Sequence, residues 1–569
     1  MDDAFLRAIR ADPEADLPRL VYADWLDEHD DPARAEFVRV QCELAKLPDH
    51  DAAYAALEDR EHELLAEHEA KWLGDGPTPD EWTFRRGFVD ELRLDPYEPP
   101  PAEWLTRQAV TGVTLSGLTE ARLPSDPLWD DFLRVGELLL LPGLEGLREV
   151  DAARLGSMRE FYRPLDLEEL LRRWESARGN SLLLSGANEY GDVPQLLRAI
   201  PATRGLIRFL IGGVSVQEST LRGILDVAEL ADVLAKSPLE SLAVYDANLT
   251  SVAPLLNADF AGSLTSLDVS YNPLAADAYR EFVAASPHLK LKHLDVSGTS
   301  LCGPTLRNLL ASRCCETLTG LAVNNAEPYL SDLVATPYWG QAVDLSVHRC
   351  EVPDAAFEQM AKATGPPALR SLDLGHNSFG PDDVQWLAEA DWARPITWLN
   401  LAANYVGISA VWHLAQPGAF PNLRTLHLGH NNAERAGGGN HAVNDEAVEH
   451  LIDSPTLARL RLLTLTANPV TDYGVELLMN APHFTLSGLG LSATRVTAGG
   501  VRTLAKSPRL ARLNWLDLSD NAALHSDALL PLAESPYLSP LCDLDVSRTG
   551  ASEVVRDLLR QRLGRRLLD

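Results

Sequence analysis

Over the second half of the chain apolar residues recur in one order: a first, another three places on, another five on, and then usually Asn, Thr, Cys or Ala eight on. The pattern reads LxxLxLxxN. It begins with LESLAVYDA at 239, LTSLDVSYN at 264, LKHLDVSGT at 291, LTGLAVNNA at 318, AVDLSVHRC at 342 and LRSLDLGHN at 369. It continues with ITWLNLAAN at 396, LRTLHLGHN at 423, LRLLTLTAN at 460, LSGLGLSAT at 486, LNWLDLSDN at 513 and LCDLDVSRT at 541. Successive starts lie 25, 27, 27, 24, 27, 27, 27, 37, 26, 27 and 28 residues apart, an interval too regular for chance. The period-two LxL predicts a short strand whose leucines share one face while the residues between them take the other. A short polar side chain at the eighth place suits a turn, where it bonds unpaired backbone groups.

The rest of each unit, as in GPDDVQWLAEA, GISAVWHLAQPG, TDYGVELLMNAP and TAGGVRTLAKSP, has helical spacing. Ser-Pro at 237, 286, 454, 507 and 535 predicts helix ends, because proline cannot continue the ladder and biases its predecessor out of the helical region. One strand-turn-helix unit cannot bury its own apolar edge, so neighbours must stack. The expected fold is an α/β solenoid, a curved horseshoe with a parallel concave sheet and convex helices.

These repeats resemble the leucine-rich repeat family, and within it the long, helix-containing class of ribonuclease-inhibitor type. Between 84 and 236 the pattern weakens. VDELRL at 89, VTGVTL at 110, SLLLSGAN at 181 and LIRFLIGG at 206 suggest further strands at drifting intervals. The preferred division is a helical segment at 1–75, degenerate leading repeats at 76–236 and about twelve regular repeats with a capping helix at 237–569; a separate domain between 84 and 236 is the alternative. The final helix, within VVRDLLRQRLGRRLLD, carries Arg556, Arg560, Arg562, Arg565 and Arg566.

The amino-terminal stretch FLRAIRADPEADLPRLVYADWLDEHDDPARAEFVRVQCELAKLP reads as amphipathic helices broken at Asp-Pro, and residues 51 to 74 as another helix with an acidic face. Tyr22, Ala23, Asp24, Trp25, Leu26 and Asp27, then Ala35, Glu36, Phe37, Val38 and Gln41, are similar to a bacterial repeat-companion domain found ahead of such arrays. Trp72 and the Phe84, Arg85, Arg86, Gly87, Phe88 run look like its approach to the first strand. The resemblance implies an all-α cap over the first repeat and carries no known activity. Asp24, Trp25 and Asp27 read either as a docking patch or, preferably, as a buried ring with acids capping helix ends.

Composition changes this picture mainly through charge. Against 82 acidic residues stand 50 Lys and Arg, a net of −32, and residues 1–100 hold half of it. Such a field opposes nucleic acid and suits a basic partner. No signal-peptide start and no long apolar run for a membrane span is seen, so a cytoplasmic monomer without membrane contact is expected. The six cysteines are too sparse for a disulfide framework, and neither they nor the histidines have the spacing of a metal site; no cofactor is expected.

Chemistry is sought on the concave face, where alternate strand residues project. Asp373, Asn400 and His427 should form a row across adjacent strands, with Trp398 beside it and His348, His376 and His430 at the strand exits. Trp515 and Asp517 repeat the theme further on. The single long interval holds an insertion around 431–447 whose Gly437, Gly438 and Gly439 suggest a mobile binding loop. Walker, HExxH, GxSxG and complete GxGxxG motifs are missing; Gly488-Leu-Gly490 is half of the last. The function expected is a non-enzymatic protein-interaction scaffold, the alternatives being an acidic inhibitor of a basic enzyme such as a nuclease and a GTPase-activating or other enzyme-regulating protein.

Overall fold

A computed structural model describes residues 2–12, 15–47, 53–73, 81–94, 100–108, 110, 112–115, 149–151, 181–185, 208–212, 227–235, 239–245, 249–285, 289–325, 330–431, 442–455, 457–481, 486–540 and 542–568. The chain divides into two compact units, Met1–Ser300 and Leu301–Asp569, a division that falls inside the regular repeats.

The first unit opens with helices Asp2–Ala11, Asp16–Glu28, Pro32–Leu44 and Tyr54–Leu73. Proline begins the third, where its missing N–H is no loss, and Asp31 caps it by accepting from Arg34 N–H at 3.4 Å. Leu6, Ile9, Tyr22, Leu26, Val38 and Phe88 close one core between these helices and the sheet. In place of the single strand expected at 89 there is a hairpin, in which Glu81–Arg85 pairs antiparallel with Phe88–Leu94. The two-residue turn has Arg86 at φ 51° and Gly87 at φ 89°, the left-handed pair that fits strand twist. Gly87 also packs where a Cβ would meet Val38 Cγ2 at 2.5 Å, and its N–H donates to Gln41 Oε1. Val38, Gln41 and Gly87 thus form the joint between helix and hairpin.

Arg34 is buried inside that joint, its guanidinium 4.8 Å from the Trp72 ring and 5.5 Å from those of Phe37 and Phe84. Burial lowers its pKa to about 10, which leaves it charged at neutral pH and held by the ring faces. Asp24 and Asp27 correct the capping expectation. They lie in the last turns of their helix, and each accepts from Arg39 Nη2 at 2.7 Å.

From Phe88–Leu94 the sheet of the first unit runs parallel through Gly112–Leu115, Glu149–Asp151, Ser181–Ser185, Arg208–Gly212, Ser241–Val244 and Ser266–Asp268 to His293–Asp295. The weakly patterned segments therefore supply strands in the same sense as the regular ones.

In the second unit every described strand from Gly320–Ala322 to Leu567–Leu568 pairs parallel with the next. The register aligns Leu345, Leu372, Leu399, Leu426, Leu463 and Leu489, all buried, each stabilising the stack by about 1.5–3 kcal/mol. Helices cover that side; Asp445–Asp453, for example, buries Ala447, Val448 and Leu451. Ser454 and Ser507 follow directly on helix ends, as the Ser-Pro pairs predict, whereas 237 and 286 lie outside the described residues.

The eighth motif position does what its chemistry suggests. Asn404 Nδ2 donates to Leu374 O and Leu401 O, while its Oδ1 accepts from Asn377 N–H and Phe379 N–H. Asn431 repeats this one turn on, and Cys350 stands in with its thiol 3.1 Å from Val323 O. The preceding residue is left-handed in every repeat where it is described, as at Arg349, His376, Ala403, His430 and Ala467, all near φ 55°. The fold is an α/β solenoid of leucine-rich repeat type with an amino-terminal helical segment. All six cysteines are free thiols.

Candidate functional site

The strands bring seven of the expected residues together on the sheet face opposite the helices. Ser346, Asp373, Asn400 and His427 are direct register partners, and Trp398 precedes Asn400 by two on the same strand. All are half-buried. The Trp398 ring leans diagonally onto His427, centroids 5.2 Å apart and planes tilted by 58°. Asn400 Nδ2 donates to Asp373 Oδ1 at 2.9 Å, and Asn400 Oδ1 accepts from Ala402 N–H at 2.9 Å. Asp373 Oδ1 also accepts from Gly375 N–H at 2.9 Å and lies 3.5 Å from His348 Nδ1. The three contacts of Asp373 all fall on one carboxylate oxygen.

The His348 and His376 rings meet at a tilt of 51° with centroids 4.7 Å apart, and His376 and His430 are exposed on the left-handed residues of their turns. Gly375 makes room for this group: a Cβ there would lie 2.7 Å from His348 Nδ1 and 3.0 Å from Asn400 Nδ2. His427 Nδ1 is 3.0 Å from Thr464 Oγ1, its register partner on the next strand, which the repeat spacing alone gave no reason to single out.

Electrostatics favour the neutral imidazole at His427 and at His376. Burial lowers the pKa of His427, opposed by the Asp373 charge. His376 is lowered by desolvation and then by the neighbouring His348, Arg349 and His430. The face therefore offers an indole, an amide, one carboxylate and imidazole rings, groups that recognise a surface by planar contact and hydrogen bonding.

Trp515 and Asp517 stand apart from this group, three strands beyond His427. Asp517 Oδ1 accepts from Ser519 N–H at 2.9 Å and Ser519 Oγ at 2.6 Å. Its pKa is raised by burial, with the charges of Asp545 and Asp520 adding to the effect. Gly488 and Gly490 are the seat of the Trp515 indole, a role hidden while they read as half of a phosphate-binding motif. Residues 432–441 of the insertion, with its three glycines, lie outside the described residues.

Among the described residues no group of three or more His, Cys, Asp or Glu is placed to hold a metal ion, and no described helix is long and apolar enough to cross a membrane.

No family model and no curated protein matches this chain. Among solved structures, an internalin, inlF, from Listeria monocytogenes str. 4b F2365 is similar at 17% identity and a TM-score of 0.35, over 66% of this chain and 87% of that one. A chain of the Rad7 and Elc1 complex in yeast aligns at 14% identity and a TM-score of 0.42, over 82% and 94%. A chain of the TLR13-ssRNA13 complex aligns at 15% and 0.30, over 78% of this chain and 63% of its own length. These scores are low, and the fold rests on the register of the strands themselves.

Proposed function

We propose that the protein is a non-catalytic interaction scaffold whose protein partner docks on the open face of the sheet, centred on Trp398, Asn400 and His427. The observation that carries this is the pinned geometry of that row. Trp398 packs on His427, and Asn400 is held by Asp373 and its own turn, so little side-chain entropy is left to lose on binding. Asp373, His348, His376 and His430 border it, and Trp515 with Asp517 forms a second contact area. The test is affinity capture from an extract of the source cells with mass spectrometry, using wild type and W398A/N400A/H427A side by side. Retained unfolding behaviour with loss of a specific prey supports the site; undiminished capture by the folded triple variant rejects it.

The net charge of −32 favours one second reading, an inhibitor of a basic enzyme. It requires an association that weakens steeply with added salt, and a salt-insensitive complex eliminates it.

A further inference from the structure

Cys314 and Cys315 are adjacent in the chain, and the fold also brings their sulfurs together. They end the short 3-10 turn Arg313–Cys315, between helix Gly303–Leu310 and strand Gly320–Ala322, and both are buried. In a strand, neighbouring side chains point to opposite faces. Here the turn directs them the same way, and the two Sγ atoms lie 3.7 Å apart. Ser312 Oγ lies 2.9 Å from Cys314 Sγ. The Cys315 S–H holds the Cys314 thiol below its ordinary pKa against the effect of burial, with help from Ser312. The same contact, with burial, pushes Cys315 well up. One sulfur is thus the readier thiolate, and the other stays protonated beside it. Three other cysteines are held as thiols: burial pushes Cys42 up to about 11 and Cys542 up to about 12, and Cys350 donates to Val323 O at 3.1 Å.

We propose that Cys314 and Cys315 form a redox-active dithiol that a peroxide converts to a vicinal disulfide. The Cys314 thiolate attacks one peroxide oxygen, the O–O bond breaks, and the departing hydroxide takes up the proton that Cys314 gave away, leaving as water and a sulfenic acid on Cys314. The Cys315 sulfur then bonds to Cys314 Sγ as the S–O bond breaks, and the hydroxyl leaves with the Cys315 proton as a second water. Two thiols are oxidised and one peroxide is reduced. Access is by opening the turn, which Cys315 N–H to Ser312 O at 3.1 Å and Glu316 N–H to Arg313 O at 3.3 Å close, with Arg313, Glu316 and Thr317 exposed on it. Consecutive Cα atoms are about 3.8 Å apart, less than the roughly 4.4–6.8 Å usual across a disulfide, so the ring closes under strain and is readily reduced again. That strain falls on the Cys315 carbonyl, which accepts from Leu318 N–H at 3.1 Å and from Gln341 Nε2 at 3.2 Å. Leu318 leads into strand Gly320–Ala322 and Gln341 into Asp344–Ser346, so two successive repeats feel the oxidation. The device is independent of the partner on the sheet face.

The test treats the full-length protein with hydrogen peroxide, alkylates the remaining thiols under denaturing conditions and follows the tryptic fragments by mass spectrometry. Trypsin cuts after Arg313 and next after Arg349, so fragment 314–349 carries this pair and no other cysteine. It should appear unalkylated and two hydrogens lighter than its reduced form. It should do so at least about tenfold faster than Cys42, Cys350 or Cys542 oxidises, and dithiothreitol should restore it. In Cys315→Ser the sulfenic acid has no thiol to resolve it, so dimedone should capture it on Cys314; in Cys314→Ser, Cys315 should give no adduct. Circular dichroism checks that the variants fold, and the wild-type arm decides the disulfide without them. A fragment that stays fully alkylated, that passes to sulfinic acid without the disulfide, or that oxidises no faster than the other buried thiols overturns the proposal. Equal dimedone capture in the two folded variants overturns the division of roles.

Discussion

Gly490 is the floor beneath the Trp515 ring: a Cβ built there would lie 3.1 Å from Trp515 Cη2, while one at Gly488 would lie 3.4 Å from Cε3. The indole thus lies across a strand that carries no side chain on this face. Gly490→Ala gains about 0.5–1 kcal/mol of backbone entropy and loses a comparable amount to crowding, so stability should change little. Gly490→Val should cost about 1–3 kcal/mol by overpacking and tilt the ring. Denaturant unfolding reads the first effect. A shift of the Trp515 signal in fluorotryptophan-labelled protein, assigned with Trp515→Phe, reads the second; an unmoved signal in Gly490→Val rejects the seat.

Burial of His427 makes a prediction with a definite sign. Its folded pKa lies below the ordinary 6.5, so the fold prefers neutral imidazole and the unfolded chain binds the proton more tightly. The associated stability is present above about pH 6.5 and fades as pH falls through the folded value. Asp517 acts oppositely, since its raised pKa lets protonation stabilise the fold, but at carboxylate pH. Unfolding free energy should therefore fall on acidification below neutrality, less so in His427→Gln, with the two profiles running parallel below the histidine window. A pH slope identical in the two proteins between pH 7 and 5 would count against a buried neutral imidazole.

The columns were legible because a period of two leaves no freedom: once Leu372 and Leu399 are inward, Asp373, Trp398 and Asn400 must face out. Register then follows from the repeat interval, which is why the Asp373, Asn400, His427 row could be written down from spacing. Glycine carried no such signal. Gly375, Gly488 and Gly490 matter for the side chains of neighbouring strands that lean over them, and a lean is set by rotamers rather than by pattern. The amino-terminal hairpin was obscured for a related reason, since Arg86-Gly87 is a turn only if residues 81–85 pair backwards. Asp24 and Asp27 read as caps because their partner Arg39 sits on another helix.

The buried asparagines should be the costliest polar residues to remove. Asn431 is fully buried, donates to Leu401 O and Leu428 O at 2.9 Å, and accepts from Asn404 N–H and Val406 N–H at 3.1 and 3.0 Å. Alanine strands those backbone groups away from water, an expected loss of about 2–4 kcal/mol. Threonine, which fills the same position at Thr494 and bonds Leu491 O, should recover part of it. Chemical denaturation of Asn431→Ala and Asn431→Thr decides, and equal losses would argue against the hydrogen-bond account.

Successive helices are stapled by a carboxylate that glycine makes room for. Asp445 Oδ1 accepts from Thr471 N–H at 2.8 Å and Oδ2 from Thr471 Oγ1 at 2.6 Å, so the first residue of one helix caps the entry to the next. A Cβ at Gly474 would meet Asp445 Oδ1 at 2.5 Å. Helix propensity alone says Gly474→Ala should stabilise by about 1 kcal/mol. The clash says otherwise, because the same methyl also approaches Val470 Cγ1 at 2.6 Å and the carboxylate must leave Thr471 to avoid it. Gly474→Ala should therefore destabilise, and Asp445→Ala should cost about 1.5–3 kcal/mol through its charged hydrogen bonds. In the double variant the alanine meets no carboxylate, so the combined loss should fall short of the sum by about 1 kcal/mol or more. The pair Asp472 and Gly500, where a Cβ would lie 2.8 Å from both Asp472 Oδ1 and Val496 Cγ1, should behave the same way one repeat later. Strict additivity in both cycles would mean that the glycines answer to something other than the staple.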